Sequence, residues 1–223
     1  MKKYIAILFA CVSFCACEDF LTQENPNKIE SEYYFKDESS LEIYANGLTR
    51  SFATGIKNFV NGDKNADTHA WDGAAAYFKD NYSASDASNW GTSNWSQLRS
   101  INFYLDNMRK ADAPEAVLNH YEGVGRFFRA LFYFEKVRKY GDIPYYDFVI
   151  PSNDWASLKR PRDSRGFVMK KVMEDLDRAI TDLPDNWPSD ALYRLSKNAA
   201  RAMKARAALY EGTFRKYHGI ADE

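Results

Sequence analysis

Apolar residues recur along this chain at helical spacing. Ser39 and Glu42 form an S-x-x-E capping box, and Leu41, Tyr44, Leu48, Phe52, Ile56 and Phe59 then fall on one helical face. A second helix is predicted from about Asn94 to Lys110, with Trp95, Leu98, Ile101, Leu105 and Met108 as its stripe and Trp95 in its core. A third starts near Pro114, a favourable first-turn residue, and runs to Tyr140. Its centre, FFRALFYF at 127–134, is apolar nearly all round, which predicts cover on more than one side. Gly123, Gly125 and Ala130 lie inside it. Each Gly costs about 1 kcal/mol against Ala, so close approach of a neighbouring helix is the expected compensation. Gly141 and Pro144 stop the helix.

A fourth helix begins near Asp163 or Ser164 and ends before Pro184, with Phe167, Val168, Val172, Leu176 and Ile180 inward. A fifth has Ser196 as its N-cap and Gly219 just past its end. It is rich in Ala, which keeps its surface thin enough for tight packing. Ile143 to Ile150 is the one candidate strand. The third and fourth helices end alike: Ala130, Phe134 and Val137 precede Pro144, and Val172, Leu176 and Ala179 precede Pro184. That rhythm is the second helix of a tetratricopeptide repeat, at an offset longer than the usual spacing of about 34 residues. The expected fold class is all-α, with tetratricopeptide-like helical hairpins and a long irregular aromatic loop.

The N-terminus follows another pattern. Met1-Lys2-Lys3 is basic and Tyr4 to Ala16 is apolar. That run is shorter than the roughly 20 residues a spanning helix needs, and it reads as a secretory signal peptide. The chain's 3 cysteines are Cys11, Cys15 and Cys17, at the end of this run. Phe14-Cys15-Ala16-Cys17 resembles the lipobox of bacterial lipoproteins, with Phe14 where that pattern prefers Leu. Cys17 is therefore the expected lipidation site. An ordinary cleaved signal peptide with incidental cysteines is the alternative. Glu18-Asp19 resembles the acidic signal that sends some lipoproteins to the outer face of the outer membrane. Residues 22–31 (TQENPNKIES) are polar and read as a tether.

The formal net charge is −1 and becomes more acidic once Lys2 and Lys3 leave. A basic excess for nucleic acid is missing from the composition. His69, His120 and His218 share no metal spacing, and no G-x-S-x-G or phosphate-cradling glycine loop is present. No catalytic residue, metal or cofactor is expected.

Four segments, taken together, carry a family resemblance. They are CEDFL (17–21), EGVGRFFRALFYFEKVRKYGDIPYYD (122–147), SRGFVMKKVMEDLDRAITDLP (164–184) and LSKNAARAMKARAALYEG (195–212). In order, they resemble the N-terminal half of SusD/RagB-type nutrient-uptake lipoproteins. Arg129, Ala130, Val137, Tyr140, Gly141, Asp142 and Pro144 fit the family's first helix end. Asp175, Leu176, Ala179, Leu183 and Pro184 fit its second. Gly125 stands where Ala is commoner, which should loosen helix packing. The resemblance implies a longer protein of which this chain is a fragment or a truncated product. It implies a surface lipoprotein that captures a glycan or peptide and delivers it to a SusC-like TonB-dependent transporter, without covalent chemistry. The expected organisation is a signal peptide at 1–16, a lipid-anchored tether at 17–35 and a helical domain at 36–223, incomplete at its C-terminus. The competing reading is a lipid-anchored scaffold that binds only protein partners.

The stretch from Asn61 to Ser93 is long for a connection, and such loops are often functional. It is polar yet carries Trp71, Tyr77, Phe78, Tyr82 and Trp90. Flat aromatic faces suit the apolar C–H face of a pyranose, and Asp72, Asn81, Asp86 and Asn89 can bond its hydroxyls. The candidate ligand-binding residues are Trp71, Asp72, Tyr82, Asn89 and Trp90. Alternatively, these rings pin the loop to the helices. Asn61, Asp63, Asn65 and Asp67 alternate as in a calcium loop, but Ala66 and Asp72 break that pattern. Asn102 is expected to tie down backbone, with a sugar contact the lesser option. Arg126 and Arg129 are expected to pair with helix acids.

Overall fold

Five helices of at least twelve residues carry the architecture of this computed structural model, which describes residues 34–52, 90–187 and 194–220. The chain divides into Met1–Tyr34 and Phe35–Glu223; of the first, Tyr34 alone is described. Helix α1 is Glu38–Phe52, and α2 is Ser96–Asn107, preceded and followed by 3-10 turns at Thr92–Trp95 and Met108–Lys110. Helix α3 is Glu115–Tyr140, α4 the single turn Trp155–Leu158, α5 Arg165–Asp182 and α6 Lys197–His218. Among the described residues, extended pairing is confined to one antiparallel bridge between Ile143 and Asp163. The candidate strand at 143–150 is thus an irregular strap, not a strand. The fold is all-α.

Long helix α3 is the hub. It packs against α1, α2, α5 and α6, most extensively α5, and Phe127, Phe128, Ala130, Phe132, Tyr133 and Phe134 are all buried. The all-round apolar centre of its sequence follows from that position. Helices α2 and α5, its neighbours in sequence, run antiparallel to it in hairpins, whereas α1 runs parallel to it, with Lys36 bonded to Asp112 before the two helices and Phe52 on Phe128 further along. Along α2, Trp95 meets Phe132 at one end and Arg109 bonds Glu122 at the other. Along α5, Gly123 lies against Leu183, while Arg165 reaches the carbonyl of Val137. Helix α6 repeats the arrangement on α5: Arg165 pairs with Glu211 at 2.8 Å, and Arg201 pairs with Asp185 at the other end.

Polar groups fix the register of α3 and α5. Asp175 is 2% exposed and accepts two bonds of 2.7 Å from Arg129, which is 4% exposed. Arg126 adds a third at 3.0 Å and also pairs with Glu122. Burial alone would lower the Arg129 pKa, but its bonds and attraction to Asp175 outweigh that and leave it raised. Both arginines pair with helix acids, as the sequence suggested.

Local details differ from expectation at several points. Helix α1 starts with Asp37, whose Oδ1 accepts from the Ser40 amide at 2.9 Å, while the Ser40 hydroxyl accepts from the Asp37 amide at 3.2 Å. The reciprocal cap therefore sits earlier than Ser39 and Glu42, and Glu42 pairs instead with Arg194. Phe167 is 42% exposed. The buried stripe of α5 is Val168, Val172, Asp175, Leu176 and Ala179, and Phe167 lies off its edge against the Tyr145 ring. Gly125 does not loosen the packing. A Cβ there would stand 2.6 Å from Leu105 Cδ2 and 3.0 Å from Tyr104 Cδ1, so the missing methyl is what lets α2 approach. Ser164 and Ser196 cap α5 and α6 through their side chains.

Two stability predictions follow. Gly125→Ala should destabilise by about 1 kcal/mol, because overpacking against the Tyr104 ring and Leu105 outweighs the gain in helix propensity; urea denaturation measures it. Asp175→Ala strands the enclosed guanidinium of Arg129, leaves Arg126 with Glu122 alone, and should cost about 3–5 kcal/mol, read as a lowered denaturation midpoint.

Candidate functional site

Between α3 and α5 the chain is irregular over residues 141–164, apart from the single turn α4. Gly141 makes this exit at φ +70°, a conformation that favours glycine. The strap has no hydrophobic period of its own, so tertiary hydrogen bonds order it. Tyr133 is the centre of this order. Its buried hydroxyl accepts from the Tyr146 amide at 2.6 Å and donates to the Tyr146 carbonyl at 3.0 Å. Asn102 Nδ2 donates to the carbonyls of Tyr146 and Phe148, both at 3.0 Å. Further along, Asp106 accepts from the Val149 amide at 3.1 Å, and Arg99 Nη1 donates to the Ile150 carbonyl at 3.0 Å. Arg129 also reaches the Asp147 carbonyl at 3.3 Å. The strap's return leg is held by Asp163, which accepts from the Tyr145 amide at 2.7 Å and pairs with Arg160.

A cleft of about 670 Å³ opens between this strap and the start of α2. Trp90, Trp95, Leu98, Arg99 and Asn102, from α2 and the residues before it, line it together with Tyr146, Phe148, Ile150, Arg160 and Arg162 from the strap. The aromatic wall is cross-braced. Trp90 meets Trp95 edge to face at 5.4 Å and Tyr140 at 4.8 Å, and the Trp95 indole N–H donates to the Trp90 carbonyl at 3.2 Å. The Tyr146 hydroxyl donates to the Ser157 carbonyl at 2.8 Å, and burial raises its pKa. Behind Trp95, the Lys136 ammonium lies 5.4 Å from the Trp95 ring centre and 5.3 Å from that of Phe132. Burial, then the charge of Lys139, lowers its pKa.

One buried polar atom in this wall has no protein partner. Asn102 is 1% exposed, and while its amide nitrogen is used twice, its Oδ1 accepts no hydrogen bond. The atom is enclosed behind the cleft surface, an unpaired acceptor in the packing between α2 and the strap.

Of the candidate ligand residues, Trp90 is placed on the cleft wall. Trp71, Asp72, Tyr82 and Asn89 lie outside the described residues, as do Cys17 and the calcium-like run at 61–67. Trp95 is not a helix-core residue: it sits in the 3-10 turn before α2, half-buried, and lines the cleft. The sequence reading passed over Tyr146, Phe148, Arg99 and Arg162. A usable signal was present, since residues 141–164 form a long connection carrying YYDF and RPR. Among the described residues there is no cluster of three or more metal-ligating side chains, and no helix is long and apolar enough to cross a membrane.

Antiparallel helical hairpins around a buried hub, with an aromatic cleft under a largely irregular strap, make up an all-α fold. The comparisons give the family. Residues 19–209 match the SusD-like family described as starch-binding and associating with the outer membrane. The chain belongs to this SusD-like family. It is 30% identical to SusD-like protein P2 of Formosa agariphila, over 97% of this chain and 45% of that protein. It thus spans less than half the length of the curated relatives it matches. A SusD-like protein of Bacteroides fragilis superposes with a TM-score of 0.69 at 26% identity, covering 88% of this chain and 39% of that one. A laminarin-binding SusD-like protein shares the fold with a TM-score of 0.65 at 20% identity, covering 83% and 43%.

Tyr133→Phe should remove the acceptor that, among the described residues, serves the buried Tyr146 amide. The expected cost is about 1–3 kcal/mol, measured by denaturant unfolding.

Proposed function

We propose that this chain captures an oligosaccharide in the cleft between α2 and the strap. The observation that carries the reading is a lining that joins flat rings to hydrogen-bonding side chains: Trp90, Trp95 and Phe148 line the same cavity as Arg99, Asn102 and Arg162. A pyranose has apolar C–H faces for the rings and hydroxyls for the polar side chains. The family description and the laminarin-binding relative support the same class of ligand. Capture of this kind needs no covalent step.

The rest of the proposal follows the family. The chain is a lipoprotein of the outer membrane, exposed at the surface and anchored through Cys17 after removal of residues 1–16. A tether at 17–35 then joins the anchor to a helical domain at 36–223. Its protein partner is a SusC-like TonB-dependent transporter, which receives the glycan. Ligand contacts from the further length that its relatives possess complete the site.

Affinity electrophoresis of the purified protein against a panel of polysaccharides, laminarin among them, tests the reading. At least one should retard it. Trp90→Ala should weaken that interaction about tenfold, equivalent to about 1.4 kcal/mol, in protein that melts normally. Unchanged retardation in this variant, or no retardation by any glycan, would remove the cleft from the function.

A further inference from the structure

We propose that the saccharide taken by this cleft is anionic, carrying carboxylate or sulfate groups. This rests on reading the cleft as a sugar site. The charged side chains that line it among the described residues are all arginine: Arg99, Arg160 and Arg162. Arg160 is compensated by Asp163, whose two carboxylate oxygens each lie 2.8 Å from its Nη2. The other two are not compensated. Arg99 donates to a neutral group, the Ile150 carbonyl. Arg162 has a long 3.5 Å contact to the Asp142 carbonyl, and its guanidinium lies 4.8 Å from the centre of the Trp90 ring.

These two are exceptions to how the molecule treats arginine. Arg109, Arg126, Arg129, Arg138, Arg165 and Arg178 all have carboxylate partners, and so do Arg194, Arg201 and Arg215. Among the described residues, four arginines have none within 4.0 Å: Arg50, Arg99, Arg162 and Arg206. All four are exposed. Arg50 and Arg206 lie on helices α1 and α6, whereas Arg99 from α2 and Arg162 from the strap line the same cleft. A cavity with net positive lining and aromatic walls strengthens attraction to an anion relative to open water. The planar guanidinium also matches the paired oxygens of a carboxylate or sulfate. Trp90 beneath Arg162 keeps that plane oriented. Rings hold the sugar's apolar face while the two arginines reach its acidic substituents.

Calorimetric titration of the chain with laminarin, the same laminarin after chemical sulfation, and oligogalacturonate tests this directly. In about 50 mM salt at least one acidic probe should bind about tenfold or more tighter than laminarin, and raising salt to about 500 mM should erode that advantage several-fold. Arg99→Gln and Arg162→Gln should each lower the acidic-to-neutral affinity ratio, and the double variant should bring it near one. Preference for sulfated laminarin alone or for oligogalacturonate alone supports the proposal and identifies the acidic group. Equal or tighter binding of laminarin, or a preference that survives the double variant and high salt, overturns the proposal while leaving the cleft as a sugar site. Failure of all three probes to bind overturns it together with the sugar reading.

Discussion

The contact between Asp175 and Arg129 sets the terms for the rest of this molecule. Both groups are withdrawn from water, and a charge so placed is tolerable only with its partner in position. One carboxylate faces one guanidinium through two bonds, so sliding α5 along α3 by a turn would break both. The pair therefore selects a register, beyond any stabilisation it adds. Arg129 then spends a remaining donor on the Asp147 carbonyl, which carries the same register into the strap. Strap position fixes Tyr146 and Phe148, and with them the far wall of the cleft.

The family segments gain physical meaning from this arrangement. Arg129 belongs to the first helix-end segment and Asp175 to the second, and the two are bonded to each other. Gly141 supplies the positive φ that ends α3. Asp142 next to it accepts from the Arg165 amide at 2.9 Å, so the end of one helix helps start the next. Val137 is buried beneath, and its carbonyl lies within reach of Arg165. The Ala-rich block contributes Ala200, Met203 and Ala207 to the α6 face turned inward, with Glu211 neutralising Arg165.

Helices were legible in the sequence because burial on one side imposes a period, and α3 betrayed its central place by losing that period. Cleft residues were legible only in part. Trp90 stood out as a large ring in a polar stretch. Trp95 fell on an apolar stripe and was counted as core, though the stripe continues past the point where the helix gives way to a 3-10 turn. Tyr146 and Phe148 resembled a strand, since a run of aromatic and β-branched residues reads the same whether ladder bonds or side chains such as Asn102 and Tyr133 order the backbone. Arg99 and Arg162 were hidden for a different reason. Whether an arginine has a carboxylate opposite depends on which helices become neighbours, and spacing along the chain does not encode that.

Tyr146 is held at both ends, by Tyr133 and Asn102 at its backbone and by the Ser157 carbonyl at its hydroxyl. A ring so fixed has little rotamer freedom left to surrender when something docks against it. The wall it forms does not mould itself to its guest. Discrimination then falls on the visitor, whose own glycosidic torsions must already suit an unyielding surface.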